Sequence, residues 1–212
     1  MFKEKGFIFL STLFVSLIVV SNIIATKIVS LGGIFVPAAV VFYAVTFALT
    51  DTISEVWGKE RCKFVVQSGL VVSIITIILI KIAIALPAAP FYQNQEAYSL
   101  ILGSSIRITL AGLVAYLISQ YHDVWAFHFW NERTNGEHLC IRNNASTLVS
   151  QFIDTAIFII LAFYGTGIAL IPMIFSQYLI KAIIAVVDTP LVYLLVSIFK
   201  DDGDYQKVEQ AA

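Results

Sequence analysis

The sequence predicts an all-α integral membrane protein with six transmembrane helices and both termini in the cytoplasm. Hydrophobic residues make up 59% of the 212 residues and charged residues only 13%, whereas soluble domains carry about 25% charged residues. Several apolar runs approach the roughly 20 residues that a helix needs to cross a bilayer. Because these runs occupy most of the chain, we expect a single transmembrane domain over residues 1–212 without a soluble domain.

The six predicted helices follow the apolar runs in chain order. Their predicted bounds are 7–29, 34–57, 64–86, 105–120, 146–164 and 172–199. Pro190 is expected to kink the last helix. The segment 88–104 is predicted as an outer loop, in which a short lid helix starting at Asn94 is an open alternative. Between helices 4 and 5, aromatic and polar residues alternate over 121–133, which is typical of a segment at the lipid headgroups.

The basic residues of the predicted loops indicate the orientation. Nine of them fall on the side that holds both termini, and the three opposite loops (30–33, 88–104 and 165–171) contain none. Cytoplasmic loops carry an excess of lysine and arginine. The N-terminus and the C-terminus are therefore both predicted to be cytoplasmic.

The other charged residues fall within the predicted spans or at their edges. A charge inside a bilayer costs roughly 2.5–3.5 kcal/mol on insertion scales, so such residues are candidates for a functional site. Counted at about 1.5 Å per residue, the cations are predicted in the outer half and the acids at the midplane or in the inner half. The cations are Lys27, Lys81, Arg107 and Lys181, and the acids are Asp51, Glu55, Asp154 and Asp188.

Structural explanations are open for each of these charges. Those near span ends, Lys27, Lys81 and Glu55, can extend to the interface, and Arg107 can be an ordinary interfacial arginine. The deeper charges can pair with one another rather than bind a ligand.

Polar residues share helix faces with several of these charges. Gln151 lies three residues before Asp154, and Gln177 lies four residues before Lys181. Asn22 is deep in helix 1 and can either bridge two helices or bind a ligand.

Motifs for hydrolysis or ATP binding are absent from the sequence, so we expect neither an enzyme nor a cofactor. We also expect no metal site, and no basic stripe indicates nucleic acid. Carboxylates, amides and a cation suit a flat polar heterocycle, because a guanine-like edge offers adjacent N–H donors beside a carbonyl. An amine-bearing ligand would also favour the acids. The residues therefore predict a small carrier with a central polar site.

Several strings of the sequence resemble the queuosine-precursor transporter family, also called the vitamin uptake transporter family. The resemblance spans essentially the whole chain. It is carried by SNIIATK at 21–27, TDTISEVWG at 50–58, SIRI at 105–108, RNNAST at 142–147, SQFIDT at 150–155, and Lys181 with DTP at 188–190.

This resemblance implies a bacterial inner-membrane importer of 7-deazaguanines, namely 7-cyano-7-deazaguanine, 7-aminomethyl-7-deazaguanine or queuine. It implies a fold similar to the substrate-binding subunits of energy-coupling-factor transporters, working without a dedicated ATPase. The family's motif residues fall on Asn22, Lys27, Asp51, Glu55, Arg107, Gln151, Asp154, Lys181 and Asp188.

We assign hypothetical roles to these residues for a purine-like substrate. Asp154 or Asp51 would accept the N–H edge, with Gln151 and Asn22 completing the hydrogen bonds. Lys181 and Arg107 would hold an acid ionised or donate to the carbonyl, and Asp188 would couple movement to protonation.

The alternative function is a binding subunit that needs a separate energising complex. It would require a docking surface of small residues, for which helix 1 offers only Ser21 and Ala25. The preferred deazaguanine, proton coupling and a homodimer in the lipid membrane are left open.

Overall fold

Six α-helices and one β-hairpin make up the described part of the chain in this computed structural model. The structure describes the backbone of residues 2–133 and 139–199, and the side chains of 139–148, 185–189 and scattered other positions lie outside this description. The elements are α1 Phe2–Ile24, β1 Ile28–Leu31, β2 Ile34–Pro37, α2 Val40–Trp57, α3 Lys59–Ala85, α4 Gln95–Arg133, α5 Leu139–Phe163 and α6 Leu170–Phe199.

The chain is therefore mostly helical, as expected of a multi-pass membrane protein. Lys3–Ile24, Lys59–Ala85 and Gln95–Ser119 are each long and apolar enough to cross a membrane, judged by length and composition within the described residues. Large hydrophobic side chains on α3, including Ile74, Ile78 and Ile82, are exposed. A surface of this kind is suited to lipid rather than water.

A short β-hairpin joins α1 to α2 in the otherwise helical chain and includes residues that were predicted to be helical. The first helix ends at Ile24 rather than near residue 29, and the second begins at Val40 rather than near residue 34. Gly32 and Gly33 have φ angles of 59° and 87°, the left-handed conformation that a tight two-residue hairpin turn requires at both positions. The flanking strands are rich in isoleucine, valine and phenylalanine, which favour extended structure.

Helix α4 is much longer than the predicted 105–120. Its first turn contains Glu96, and an acidic residue at a helix N-terminus is favourable. The predicted outer loop therefore becomes helical from Gln95, and the segment 121–133 continues the same helix. With 39 residues, α4 is about 58 Å long, well beyond the roughly 30 Å of a bilayer's hydrocarbon core.

Several smaller boundaries also differ from prediction. The basic residues after Gly58 belong to the first turns of α3 rather than to a loop, and α5 begins at Leu139. Helix α6 continues through Pro190.

Two apolar clusters lie at the two ends of the helix bundle. At the end where α1 and α3 begin, Leu10, Phe14, Leu49, Ile53 and Val65 are buried together. Trp57 lies there between the rings of Phe7 and Phe199, with centroid distances of 5.8 Å and 5.5 Å.

The other cluster lies where the hairpin joins α1 to α2. Ala25 and Ala39, on either side of the hairpin, pack with α4, with the end of α5 and with the start of α6. The hairpin therefore covers one end of the bundle, and the cavity described next is bounded partly by its base.

Candidate functional site

A cavity of about 280 Å³ lies between α1, α2, α4, α5 and α6 beside the hairpin. None of the described residues on its wall comes from α3. The polar side chains on the wall are Asn22, Tyr116, Ser119, Ser150, Gln151, Asp154, Gln177 and Lys181, and the larger apolar ones are Val40, Phe47, Ile108, Phe158 and Ile184. The volume lies just below the usual range for drug-sized ligands, so the cavity suits a small molecule.

A salt bridge joins α5 and α6 on this wall. Lys181 Nζ donates to Asp154 Oδ2 at 2.9 Å. The side chains are only 19% and 27% exposed, so solvent screens the pair less than it would a surface ion pair. The pairing that the sequence left open is therefore present, and it lies on the cavity wall.

The depth predicted for this pair is wrong. Asp154 and Lys181 were expected in opposite halves of the membrane, yet their side chains are in contact. Helices α5 and α6 are connected at the hairpin end, where α5 ends at Phe163 and α6 begins at Leu170. Asp154 lies nine residues before that end and Lys181 eleven residues beyond it, so the shared end places them at similar depth. The predicted separation of outer cations from inner acids therefore fails at the site itself.

The structure brings four of the nine predicted site residues to one cavity. Besides the salt-bridged pair these are Gln151, one turn before Asp154 on α5, and Asn22, two residues before the end of α1. Amide groups can both donate and accept, so the wall offers donors and acceptors in addition to the ion pair.

Four other predicted residues do not lie on this wall. Lys27 is exposed between α1 and β1, where its backbone closes the base of the hairpin through a bond from Ala38 N to Lys27 O of 2.8 Å. Asp51 and Glu55 are exposed on α2. The fourth, Arg107, contacts the end of α5, and the ninth predicted residue, Asp188, has a side chain outside the described residues.

Arg107 binds the end of a neighbouring helix. It is the thirteenth residue of α4, not in its first turn as predicted, because α4 begins earlier. Its Nε donates to Leu161 O at 2.8 Å and its Nη2 to Tyr164 O at 2.6 Å. The last carbonyls of a helix lack intrahelical partners and attract cations. Arg107 thus fastens α4 to the end of α5, while the adjacent Ile108 lines the cavity.

The sequence prediction omitted several wall residues. Gln177 is the most informative, because its side chain is 7% exposed and its Oε1 has no hydrogen-bond partner within the described part of the chain. Its spacing from Lys181 was a usable signal, since residues four apart share a helix face. Single hydroxyls such as Ser150, which lies 2.9 Å from His122 Nδ1, have no comparable pattern in the sequence.

Known proteins provide two matches to this chain. A family model described as "Putative vitamin uptake transporter" matches residues 37–195. A protein of Bacillus subtilis (strain 168) named "Probable queuosine precursor transporter" is 28% identical over 179 residues, which cover 83% of this chain and 78% of that protein. No solved structure matches the chain. The two matches confirm the resemblance that the sequence strings indicated.

Proposed function

Because the chain belongs to the vitamin uptake transporter family, we propose that it imports 7-deazaguanine precursors of queuosine through the cavity between its helices. The family is one of transporters rather than enzymes, and the Bacillus subtilis relative is named for queuosine precursors. The candidate substrates are 7-cyano-7-deazaguanine, 7-aminomethyl-7-deazaguanine and queuine. The observation that carries the proposal is the Lys181–Asp154 ion pair on the cavity wall.

The hydrogen-bonding groups around this pair fit a guanine-type edge. Oδ2 of Asp154 accepts from Lys181, which leaves Oδ1 to accept an N–H of the base. The ammonium of Lys181 has three donors, so it can also donate to the carbonyl of the base. Gln151 and Asn22 complete the polar contacts, and Phe47 and Phe158 supply apolar surface for a flat ring.

Arg107 takes a supporting role in this proposal, and no role is proposed for the exposed Lys27, Asp51 and Glu55. Arg107 positions α5 through its two carbonyl contacts rather than touching the base. Coupling of transport to protonation of Asp188 stays a prediction.

We propose that all six helices span the inner membrane of a bacterium, with both termini in the cytoplasm. The start of α1, the end of α2 and the start of α3 meet at one end of the bundle, where Arg61 Nη1 contacts Glu4 Oε1 at 2.9 Å. That end also carries Lys59 and Lys63, as expected for a cytoplasmic face. The hairpin would then face the outside.

A subunit that depends on a separate energising complex is less well supported. The small residues considered for docking, Ser21 and Ala25, are 0% and 4% exposed. They are packed inside the bundle and cannot present a surface to another protein. We therefore propose a carrier that works alone.

Uptake of labelled 7-cyano-7-deazaguanine by cells that cannot make it tests the substrate and the site together. Wild-type protein should restore uptake, and Asp154→Asn should abolish it at normal expression. Glu60→Gln is the matched control, because Glu60 is an exposed carboxylate at the start of α3, and this variant should transport normally. Normal uptake by Asp154→Asn would show that the site is wrong, and a failure of the purified protein to transport in liposomes would favour the dependent subunit.

A further inference from the structure

Gln177 has an amide oxygen without a hydrogen-bond partner among the described residues. Among the described residues, four buried side-chain atoms lack a hydrogen-bond partner: Ser11 Oγ, Ser21 Oγ, Trp57 Nε1 and Gln177 Oε1. Of these four residues, Gln177 is the one on the cavity wall. Buried polar atoms in proteins are nearly always hydrogen-bonded, so each exception calls for an explanation.

The position of Gln177 relative to the ion pair suggests what the oxygen is for. Gln177 precedes Lys181 by four residues on α6, so the two side chains lie on one face about 6 Å apart along the helix axis. Both line the same cavity. A two-ring base held at the ion pair can extend over this distance toward Gln177.

We propose that Gln177 is a substrate-binding residue whose amide oxygen accepts an N–H donor of the bound base. This inference rests on the proposed function and adds a second acceptor to Asp154. A base with two separated N–H donors satisfies both acceptors, whereas a base lacking one donor leaves a buried oxygen unpaired. Sites that hydrogen-bond a substrate N–H reject analogues lacking it far more strongly than apolar pockets do.

The empty protein should also reflect this role. An oxygen that gains its partner only from the ligand contributes nothing favourable to the folded state without ligand. Replacing Gln177 by a residue of similar size without the oxygen should therefore leave the unliganded protein at least as stable. A residue that merely held helices together would behave in the opposite way.

Gln177→Met in the purified full-length protein tests the inference, with Gln67→Met as the matched control because Gln67 is exposed on α3. The melting temperature without ligand and the Kd for 7-cyano-7-deazaguanine, guanine and hypoxanthine are measured for each variant. Gln177→Met should melt no lower than wild type and bind 7-cyano-7-deazaguanine about tenfold more weakly. Hypoxanthine lacks the 2-amino group. If Gln177→Met leaves the Kd for hypoxanthine unchanged but raises the Kd for the other two bases, Gln177 is assigned to that amine.

Two results would overturn the inference. One is an unchanged Kd for all three bases, and the other is a lower melting temperature without ligand, which would indicate a structural residue. If Gln177→Met cannot be purified, Gln177→Asn is used instead. Its shorter side chain keeps the amide but moves the oxygen back toward the helix, so this variant should fold normally and bind the base more weakly. If wild-type protein binds none of the deazaguanines, the proposed function fails instead.

Discussion

Replacing Lys181 with methionine should leave Asp154 as an unpaired carboxylate on the cavity wall. Removing one partner of a fully buried ion pair costs about 3–5 kcal/mol. Here the two side chains are 19% and 27% exposed, so the pair is only partly buried. We therefore expect the free energy of unfolding to fall by about 2–3 kcal/mol. For a chain of this size that corresponds to a fall in melting temperature of about 5–10 °C.

The double variant Asp154→Asn with Lys181→Met separates stability from function. It removes both charges together, so no uncompensated charge remains and its melting temperature should return to within about 3 °C of wild type. Transport should stay absent, because the double variant also lacks the carboxylate and the ammonium that are proposed to bind the base. Melting in detergent and uptake in liposomes are measured on the same preparations.

The exposed pair Glu4–Arg61 is a matched control for this cycle. Its N–O distance is also 2.9 Å, but its side chains are 61% and 47% exposed. Exposed ion pairs contribute less than about 1 kcal/mol, so Arg61→Gln should change melting by at most a few degrees and leave uptake intact. The reasoning is refuted if the double variant at Asp154 and Lys181 transports like wild type, because the pair would then be purely structural.

Three further predictions concern the packing of the helices and their orientation in the membrane. Arg107→Gln should lower the melting temperature by about 3–6 °C, because two hydrogen bonds to the end of α5 are lost. The ligand Kd should not change, and weaker ligand binding at an unchanged melting temperature would contradict this prediction. Gly6→Ala would place a Cβ 2.5 Å from Phe199 Cε1, the far end of a side chain that can shift. Because alanine also favours a helix over glycine by about 1 kcal/mol, the melting temperature should stay within about 3 °C of wild type; a larger fall would show that packing against Trp57 holds the Phe199 ring in place. In a background without native cysteines, an impermeant maleimide should label Gln93→Cys in intact cells but Lys63→Cys only after permeabilisation, and the reverse pattern would invert the proposed topology.

The sequence predicted the helices better than their ends, for a physical reason. Apolar length measures how much of a segment can lie in lipid, but a helix can continue beyond the bilayer wherever its polar residues tolerate helical backbone, as they do from Gln95 to Arg133 in α4. The hairpin was missed because its isoleucine and valine residues are as apolar as those of a spanning helix. The pair Gly32-Gly33 was the available signal for a turn between strands.

For the site as well, the sequence indicated which polar residues are unusual but not what each of them contacts. Asn22, Gln151, Asp154 and Lys181 were predicted because polar groups inside apolar runs need a reason to be there. All four line one cavity, and their binding of a substrate stays a prediction. Arg107 meets the same criterion, yet its partners are the backbone carbonyls of Leu161 and Tyr164. A sequence carries no mark for a carbonyl left unpaired at a helix end, so side-chain chemistry alone cannot separate a residue that binds ligand from one that caps a helix.

The ion pair and Gln177 together indicate how an empty polar cavity can persist in a bilayer. Lys181 and Asp154 neutralise each other at 2.9 Å, which lowers the cost of keeping either charge in the membrane. Within the described part of the chain, the contact between the pair uses one carboxylate oxygen and one ammonium donor, and Gln177 adds an unpaired acceptor on the same cavity wall. A base that matches these groups gains hydrogen bonds without having to break the salt bridge, whereas a ligand that needed the carboxylate alone would have to displace Lys181. Under the proposed function, the same contact would therefore favour a base with both donors and an acceptor on its edges.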